Sequence, residues 1–147
     1  MQVRDVMTEQ VVTVPPAADF RATAREMLER RIGSVLVFDD RLHGIVTETD
    51  VLAVVVERPE SIPSLVASDV MTDDLVTVTP DRPLSWAVNR IGDHNVKKLP
   101  VVRGQAGPIV RAGDLLGIVT LSDISHHLPD EVRETRKALD RRDKWTD

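Results

Sequence analysis

Hydrophobic and polar positions change period four times in the first sixty residues. Val11 to Val14 is a short β-branched run closed by Pro15-Pro16, which predicts a strand ending in a turn. From Asp19 to Arg31, Phe20, Ala24, Met27 and Leu28 recur at i, i+4, i+7 and i+8 among Arg and Glu, the spacing of an amphipathic helix with these four on one face. Val35 to Phe38 is a continuous apolar strand, Asp39-Asp40 a turn, and Leu42 to Val46 the next strand. A second helix is expected from Thr47 to Val56, followed by a proline-punctuated linker from Arg58 to Pro63. The predicted order is β-α-β-β-α.

The same order then returns. Leu75 to Thr79 is expected as a strand, and Pro83 falls early in a helix through Ile91, where a missing N–H costs little. Leu99 to Val102 and Leu115 to Val119 read as strands, and Leu121 to His127 as the start of a closing helix. Residues 103 to 114, with Gly104, Gly107, Pro108 and Gly113, form an enlarged hairpin loop that the first copy lacks. Beyond Pro129 the chain is charged, with Val132, Thr135, Leu139 and Arg142 near helical spacing, which suggests a helix lying on the surface or on a partner.

The recurrence extends to residue identities. Asp5-Val6-Met7-Thr8 returns as Asp69-Val70-Met71-Thr72, and Val12-Thr13-Val14 with Pro16 returns as Val76-Thr77-Val78 with Pro80. Gly44-Ile45-Val46-Thr47 with Asp50 returns as Gly117-Ile118-Val119-Thr120 with Asp123. An internal repeat governs every later inference about fold. The sequence divides into a first copy with its linker (1–63), a second copy (64–129) and a charged tail with helical spacing (130–147).

Composition narrows the function classes. A chain of 147 residues buries roughly two thirds of its unfolded surface, whereas one copy alone, at about 60 residues, would be marginal, so the copies are expected to share a core. With 41% apolar and 29% charged residues the chain is globular in character. Its longest apolar run, Val51 to Val56, is too short for a membrane span. The opening Met-Gln-Val-Arg-Asp has no apolar signal core, so the expected location is the cytoplasm. Zero cysteines exclude disulfides and thiolate chemistry, and a net charge of −5 disfavours nucleic acid as a partner.

The chemistry is concentrated in Thr-x-x-Asp. An apolar run ends at Thr47, and again at Thr120, just where a helix begins, so a hydroxyl and the first unsatisfied backbone N–H groups meet at a strand end. Phosphate suits such a place. The carboxylates of Asp50 and Asp123 would repel phosphate but accept from two neutral hydroxyls, as on a ribose. The same spacing also describes a capping box, in which Thr and Asp satisfy backbone amides and do nothing more. Both readings stand on the residues alone.

Other residues carry less. Adjacent His126 and His127 diverge on a helix and have no partner at ligand spacing, so no metal site is expected. His43, beside Gly44, and His94, at a helix end, read as structural, and Trp86 as core or interface. Neither a nucleophile elbow nor a glycine-rich phosphate loop is present, so enzyme activity has no residue to stand on.

Four motifs in one order, twice, resemble the cystathionine β-synthase (CBS) domain: Asp-Val-Met-Thr, Thr-Val-x-Pro, Val96-Lys97-Lys98-Leu99-Pro100-Val101-Val102 and Gly-Ile-Val-Thr-x-x-Asp. The resemblance covers residues 3 to 128. It implies a mixed α/β (α+β) fold class: two tandem β-α-β-β-α repeats related by a pseudo-two-fold and packed as one module. It also implies a regulatory, non-enzymatic module that takes AMP, ADP, ATP or S-adenosylmethionine-type ligands in clefts between the copies, as regulatory ligands rather than cofactors. Such pairs commonly form a flat, disc-shaped homodimer and pass occupancy to a partner protein, here unknown.

By the same resemblance, Asp50 and Asp123 hold ribose, while Thr47, Thr120, Lys97 and Lys98 reach phosphate. Ile32, Val96, Ser68 and Pro100 line the base pocket. The copies differ: Gly33-Ser34 stands opposite Lys97-Lys98, Arg4 opposite Ser68, and Glu48 follows Thr47 where Leu121 follows Thr120. One better and one weaker site are therefore expected. A ligand-free interaction scaffold is the alternative. Nucleic-acid binding by Arg133, Arg136, Arg141 and Arg142 is disfavoured by the interleaved Asp130, Glu131, Glu134, Asp140 and Asp143.

Overall fold

Two sets of packed elements, each with its own apolar core, make up the structure, a computed structural model describing residues 1–104, 107–128 and 132–139. The first-copy unit comprises Val11–Leu75 with Pro108–Ala112, and the second-copy unit comprises Met1–Gln10, Val76–Gly107 and Gly113–Asp147. Compact units and sequence repeats are thus different divisions of the chain. The first ten residues of copy one belong with copy two, and residues 64–75 of copy two belong with copy one.

In the first-copy unit, β1 (Thr13–Val14) runs parallel to β2 (Ser34–Phe38), which pairs antiparallel with β3 (Leu42–Thr47). Helix α1 (Phe20–Arg30) crosses between β1 and β2, with the Asp19 carboxylate accepting from Ala22 N at 3.1 Å as its N-cap. Phe20, Thr23 and Met27 are its buried residues, an i, i+3, i+7 stripe. Leu28 was expected on this face and is instead exposed, because the residue after Met27 turns about 100° away from the stripe. Helix α2 (Glu48–Glu57) follows β3, a 3-10 turn covers Pro59–Ser64, and a short α3 (Ala67–Val70) follows. Val14, Val35, Val37, Val46, Val54 and Ala67 are among the buried residues of this core.

The second-copy unit repeats the plan with α4 (Leu84–His94), β4 (Lys98–Val102), β5 (Leu115–Thr120) and α5 (Leu121–Ser125). Pro83 is the N-cap of α4 and lies just outside the helix. The strand expected over Leu75 to Thr79 is reduced to a single parallel bridge, Val78 with Val101. Its cause lies in the facing residue. Leu36 N donates to Val12 O at 3.0 Å in the first copy, but the matching position is Pro100, which has no N–H to give. A sixth helix, α6 (132–139), places Val132 and Leu139 in this unit's core beside Val88, Ile91 and Ile124. The tail helix therefore packs on its own chain. Arg142 and the other expected tail residues before 132 and after 139 lie outside the described residues.

The exchanged segments explain two glycines. In the second-copy unit Thr8 pairs with Ile118, and a Cβ on Gly117 would stand 2.5 Å from Thr8 O. In the first-copy unit Ile45 pairs with Thr72, and a Cβ on Gly44 would stand 2.7 Å from both Thr72 O and Met71 Sδ. Each Gly-Ile-Val-Thr strand begins with glycine because a Met-Thr segment lies across it. The register of exchange is held by matching bonds: Ser68 N to Pro16 O at 3.0 Å, and Arg4 N to Pro80 O at 3.0 Å. The Asp of each Asp-Val-Met-Thr caps its own turn, Asp5 accepting from Gln2 N at 2.8 Å and Asp69 from Val66 N at 2.9 Å.

Candidate functional site

Each unit brings its strand-to-helix junction beside the start of its middle strand. Helix α1 ends at Arg31 and α4 at Asn95, both left-handed (φ 54 and 56°), which reverses the chain into Ile32 and Val96. Ile32 and Val96 are half-buried against their respective cores. Ser34 then pairs with Thr47, and Lys98 with Thr120. Gly33 O accepts from Glu48 N at 3.1 Å, and Lys97 O from Leu121 N at 2.9 Å.

The first-copy unit thus gathers Ile32, Thr47 and Asp50 from the expected set, with Ser68 exposed on α3. The second-copy unit gathers Val96, Lys97, Lys98, Thr120 and Asp123, with Pro100 buried inside β4. Lys97 is exposed and Lys98 half-buried.

Both junctions are capping boxes. Asp50 Oδ2 accepts from Thr47 N at 2.9 Å, and Thr47 Oγ1 accepts from Asp50 N at 3.3 Å. Asp123 Oδ2 accepts from Thr120 N at 2.9 Å, and Thr120 Oγ1 accepts from Asp123 N at 3.1 Å. The cradle of free amides expected at the helix starts is correspondingly smaller. Of the first three helical N–H groups, one bonds Gly33 O or Lys97 O, just ahead of the facing strand, and one bonds the Thr hydroxyl, which among the described residues leaves those of Thr49 and Ser122.

Beyond the cap, the junctions part. Thr47 Oγ1 also donates to Asp50 Oδ2 at 3.0 Å, and Thr72 Oγ1 donates to Asp50 Oδ1 at 3.2 Å. Both oxygens of Asp50 are occupied. Among the described residues, neither Asp123 Oδ1 nor the Thr120 hydroxyl hydrogen has a partner, and Thr8, the counterpart of Thr72, sends no side-chain bond to Asp123. Asp50 and Asp123 are both half-buried, so the difference lies in bonding and not in depth. Thr72 was not foreseen as a site residue; its signal in the sequence was its place in the repeated Asp-Val-Met-Thr.

Other candidates resolve into local structure. Trp86 is half-buried on α4, with the Arg82 and Arg90 guanidinium groups 4.5 and 5.3 Å from its ring centre. Asp39, Asp40 and His43 gather at the β2–β3 turn. The Asp39 carboxylate accepts from Asp40 N (2.7 Å) and Arg41 N (3.1 Å), and lies 2.7 Å from His43 Nε2. The Arg41 amide, with the Asp40 side chain and His43, holds its pKa well below the usual range. Among the described residues no helix is long and apolar enough to cross a membrane.

Comparison with known proteins places the chain. The profile of the CBS domain matches residues 3–57 and 67–130, so the protein belongs to the CBS domain family and carries the domain twice. An uncharacterized protein of Methanopyrus kandleri, MK0525, is 31% identical over 126 residues. That alignment spans 84% of this chain and 61% of the relative. Hypoxic response protein 1 of Mycobacterium tuberculosis is 29% identical over 129 residues, 86% of this chain and 85% of the relative. Among solved structures, the CBS domain pair of protein MJ0100, in complex with 5′-methylthioadenosine and S-adenosyl-L-methionine, has a TM-score of 0.74 at 21% identity. It covers 88% of this chain and 96% of that one, a likeness of fold.

Proposed function

We propose that this CBS pair is a cytoplasmic, non-enzymatic regulatory module that binds an adenosyl ligand and transmits its occupancy to a partner protein, as part of a homodimer. AMP, ADP, ATP and S-adenosylmethionine-type compounds form the ligand class, acting as effectors rather than cofactors. The observation that carries the reading is the Thr120–Asp123 junction, where among the described residues one carboxylate oxygen and one hydroxyl hydrogen are unspent, opposite Lys98 at the start of β4 and next to Lys97. Asp123 Oδ1 accepts from a ribose hydroxyl, Thr120 donates to phosphate, and Lys97 supplies the positive charge that the reduced set of amides does not. Val96 lies next to Lys97 as an apolar surface for the base. The solved pair from MJ0100 holds ligands of this class, which supports the choice of adenosyl compounds. The Thr47–Asp50 junction, with Ile32 and Ser68, is the weaker site, since Thr72 must first give up its bond to Asp50 and Gly33-Ser34 stands where the other copy has Lys97-Lys98.

Isothermal titration with AMP, ATP, 5′-methylthioadenosine and S-adenosylmethionine tests this directly. One ligand per chain is expected, with affinity lost in Asp123→Ala. Heat from none of the four rejects the reading. The completed capping boxes favour one rival, a scaffold that binds no small molecule, and that null titration is its signature.

A further inference from the structure

Helices α1 and α4 hold equivalent places in the two units, 64 positions apart (84 − 20), and part along one ridge. Where the first copy has Ala18, Ala22 and Glu26, the second has Arg82, Trp86 and Arg90. Residues four apart on a helix are neighbours on its surface, so each set makes one stripe, begun just ahead of the helix by Ala18 or Arg82. The first-copy stripe is small and neutralises itself, since Glu26 pairs with Arg30 on the same helix. In the second copy His94 stands in place of Arg30, and none of the three positions is acidic. Divergence of the repeats thus produced an aromatic and basic ridge.

The fold gains little from this ridge. Both guanidinium groups lie against the Trp86 ring, 4.5 and 5.3 Å from its centre, which orients them and leaves their edge donors for a planar acceptor. Among the described residues neither arginine has an ion pair, and Arg90 Nε is shut off from water with no acceptor at all. A charged donor left in that state is a cost to the fold. Arg82 adds positive charge at the start of α4, the end where the helix dipole favours negative charge. The neighbouring acids do not neutralise them. Asp81 already accepts from the Thr79 hydroxyl at 2.7 Å, with Arg4 as well as Arg82 in electrostatic reach of it. Asp93 is exposed one turn past Arg90 and forms no ion pair with it.

We infer that the Arg82–Trp86–Arg90 ridge is a docking surface for an acidic segment of another protein, which sets carboxylates on the two arginines and its aliphatic stems on the indole. Charge complementarity selects this occupant. A carboxylate matches the guanidinium fork with two parallel hydrogen bonds, and one that draws Arg90 onto itself supplies the acceptor that the chain lacks. A nucleic-acid backbone, charged at every step, would run onto Asp81 and Asp93 at the ends of the ridge. A peptide can place its carboxylates at the arginines alone. The inference gives a chemistry to the partner in the proposed function, and its test contains no adenosyl ligand, so either can fail without the other.

Fluorescence titration of the full chain with poly-L-glutamate supplies the test. Trp145→Phe leaves Trp86 as the sole tryptophan, so its emission reports on the ridge itself. Poly-L-glutamate is expected to shift that emission, and to bind about 10-fold or more weakly to Arg82→Gln with Arg90→Gln at an unchanged melting temperature. Arg82→Gln alone, at an exposed position ahead of the helix, should lose about threefold and stands in if the double variant does not fold. Removing the same charge from α1, by Arg21→Gln with Arg25→Gln, should change affinity less than about twofold. An unmoved emission, or equal losses from the α1 and α4 variants, overturns the inference. So does a thymidine oligonucleotide that binds more tightly than poly-L-glutamate through the same arginines, which gives the ridge to nucleic acid. Sedimentation closes the remaining route: an oligomer that dissociates in Arg82→Gln with Arg90→Gln gives the ridge to a second copy of this chain and overturns the acidic partner.

Discussion

The two Thr-x-x-Asp junctions share sequence spacing, strand register and capping box, yet one is saturated and the other is not. At Asp50 a neighbouring threonine from the exchanged segment takes the carboxylate oxygen that the cap leaves over; at Asp123 the same threonine position leaves it alone. Duplication copied the local structure faithfully. On the proposed reading, capacity to bind is decided by the third group, and by whether the facing segment reads Gly33-Ser34 or Lys97-Lys98. A motif match therefore identifies a helix start, and the bonds left open mark the candidate site.

The most disruptive way to probe the comparison is to force the exchanged segment off its strand. Gly117→Ala and Gly44→Ala each drive a methyl into backbone and should destabilise the fold by about 2–3 kcal/mol in urea unfolding, Gly117 the more because its main-chain contact is closer, 2.5 against 2.7 Å. If both variants unfold at the wild-type midpoint, the segments are not held across those strands in solution. A second probe separates cap from site. Asp123→Ala should weaken adenosyl-ligand binding about 10- to 150-fold, from the roughly 1.5–3 kcal/mol of a charged hydrogen bond, while Asp50→Ala shifts affinity less than about threefold. Equal losses in the two variants would erase the asymmetry.

Smaller effects sharpen it further. Thr72→Val removes a bond to Asp50 and should lower stability by about 1 kcal/mol, whereas Thr8→Val should be near neutral in the same melt. Arg31→Gly should raise stability by about 0.5–1 kcal/mol, because arginine is ill suited to φ 54°, while Asn95→Gly, already a tolerant residue at φ 56°, should change it little. A stabilised Asn95→Gly with an unimproved Arg31→Gly would show that the two reversals are not equivalent.

Much of this architecture was legible before any coordinates. Periodicity located both long amphipathic helices to within a few residues, and the repeat marked out the two strand-to-helix junctions. The strand expected at Leu75 to Thr79 failed for a reason that was itself written in the chain, since Pro100 removes the amide that the first copy uses. Leu28 was misplaced because residues at i+7 and i+8 both fit a broad apolar face, and only packing selects between them. The exchange of the Asp-Val-Met-Thr segments was invisible. Either copy of that segment fits either Gly-Ile-Val-Thr strand by residue type, and linear order favours the wrong one. Occupancy of Asp50 by Thr72 follows from that exchange, so the inequality of the junctions could be suspected from Gly33-Ser34 but not assigned.

The exchanged opening segment has a consequence for how the chain matures. Val3, buried in the core of the second-copy unit, is made before all of Val11–Leu75, and most of its core neighbours are made after that segment. During synthesis this strip must wait while the intervening half folds. Trimming or burying the first ten residues in a fusion would thus damage the half of the protein most distant in sequence and leave the nearer half standing.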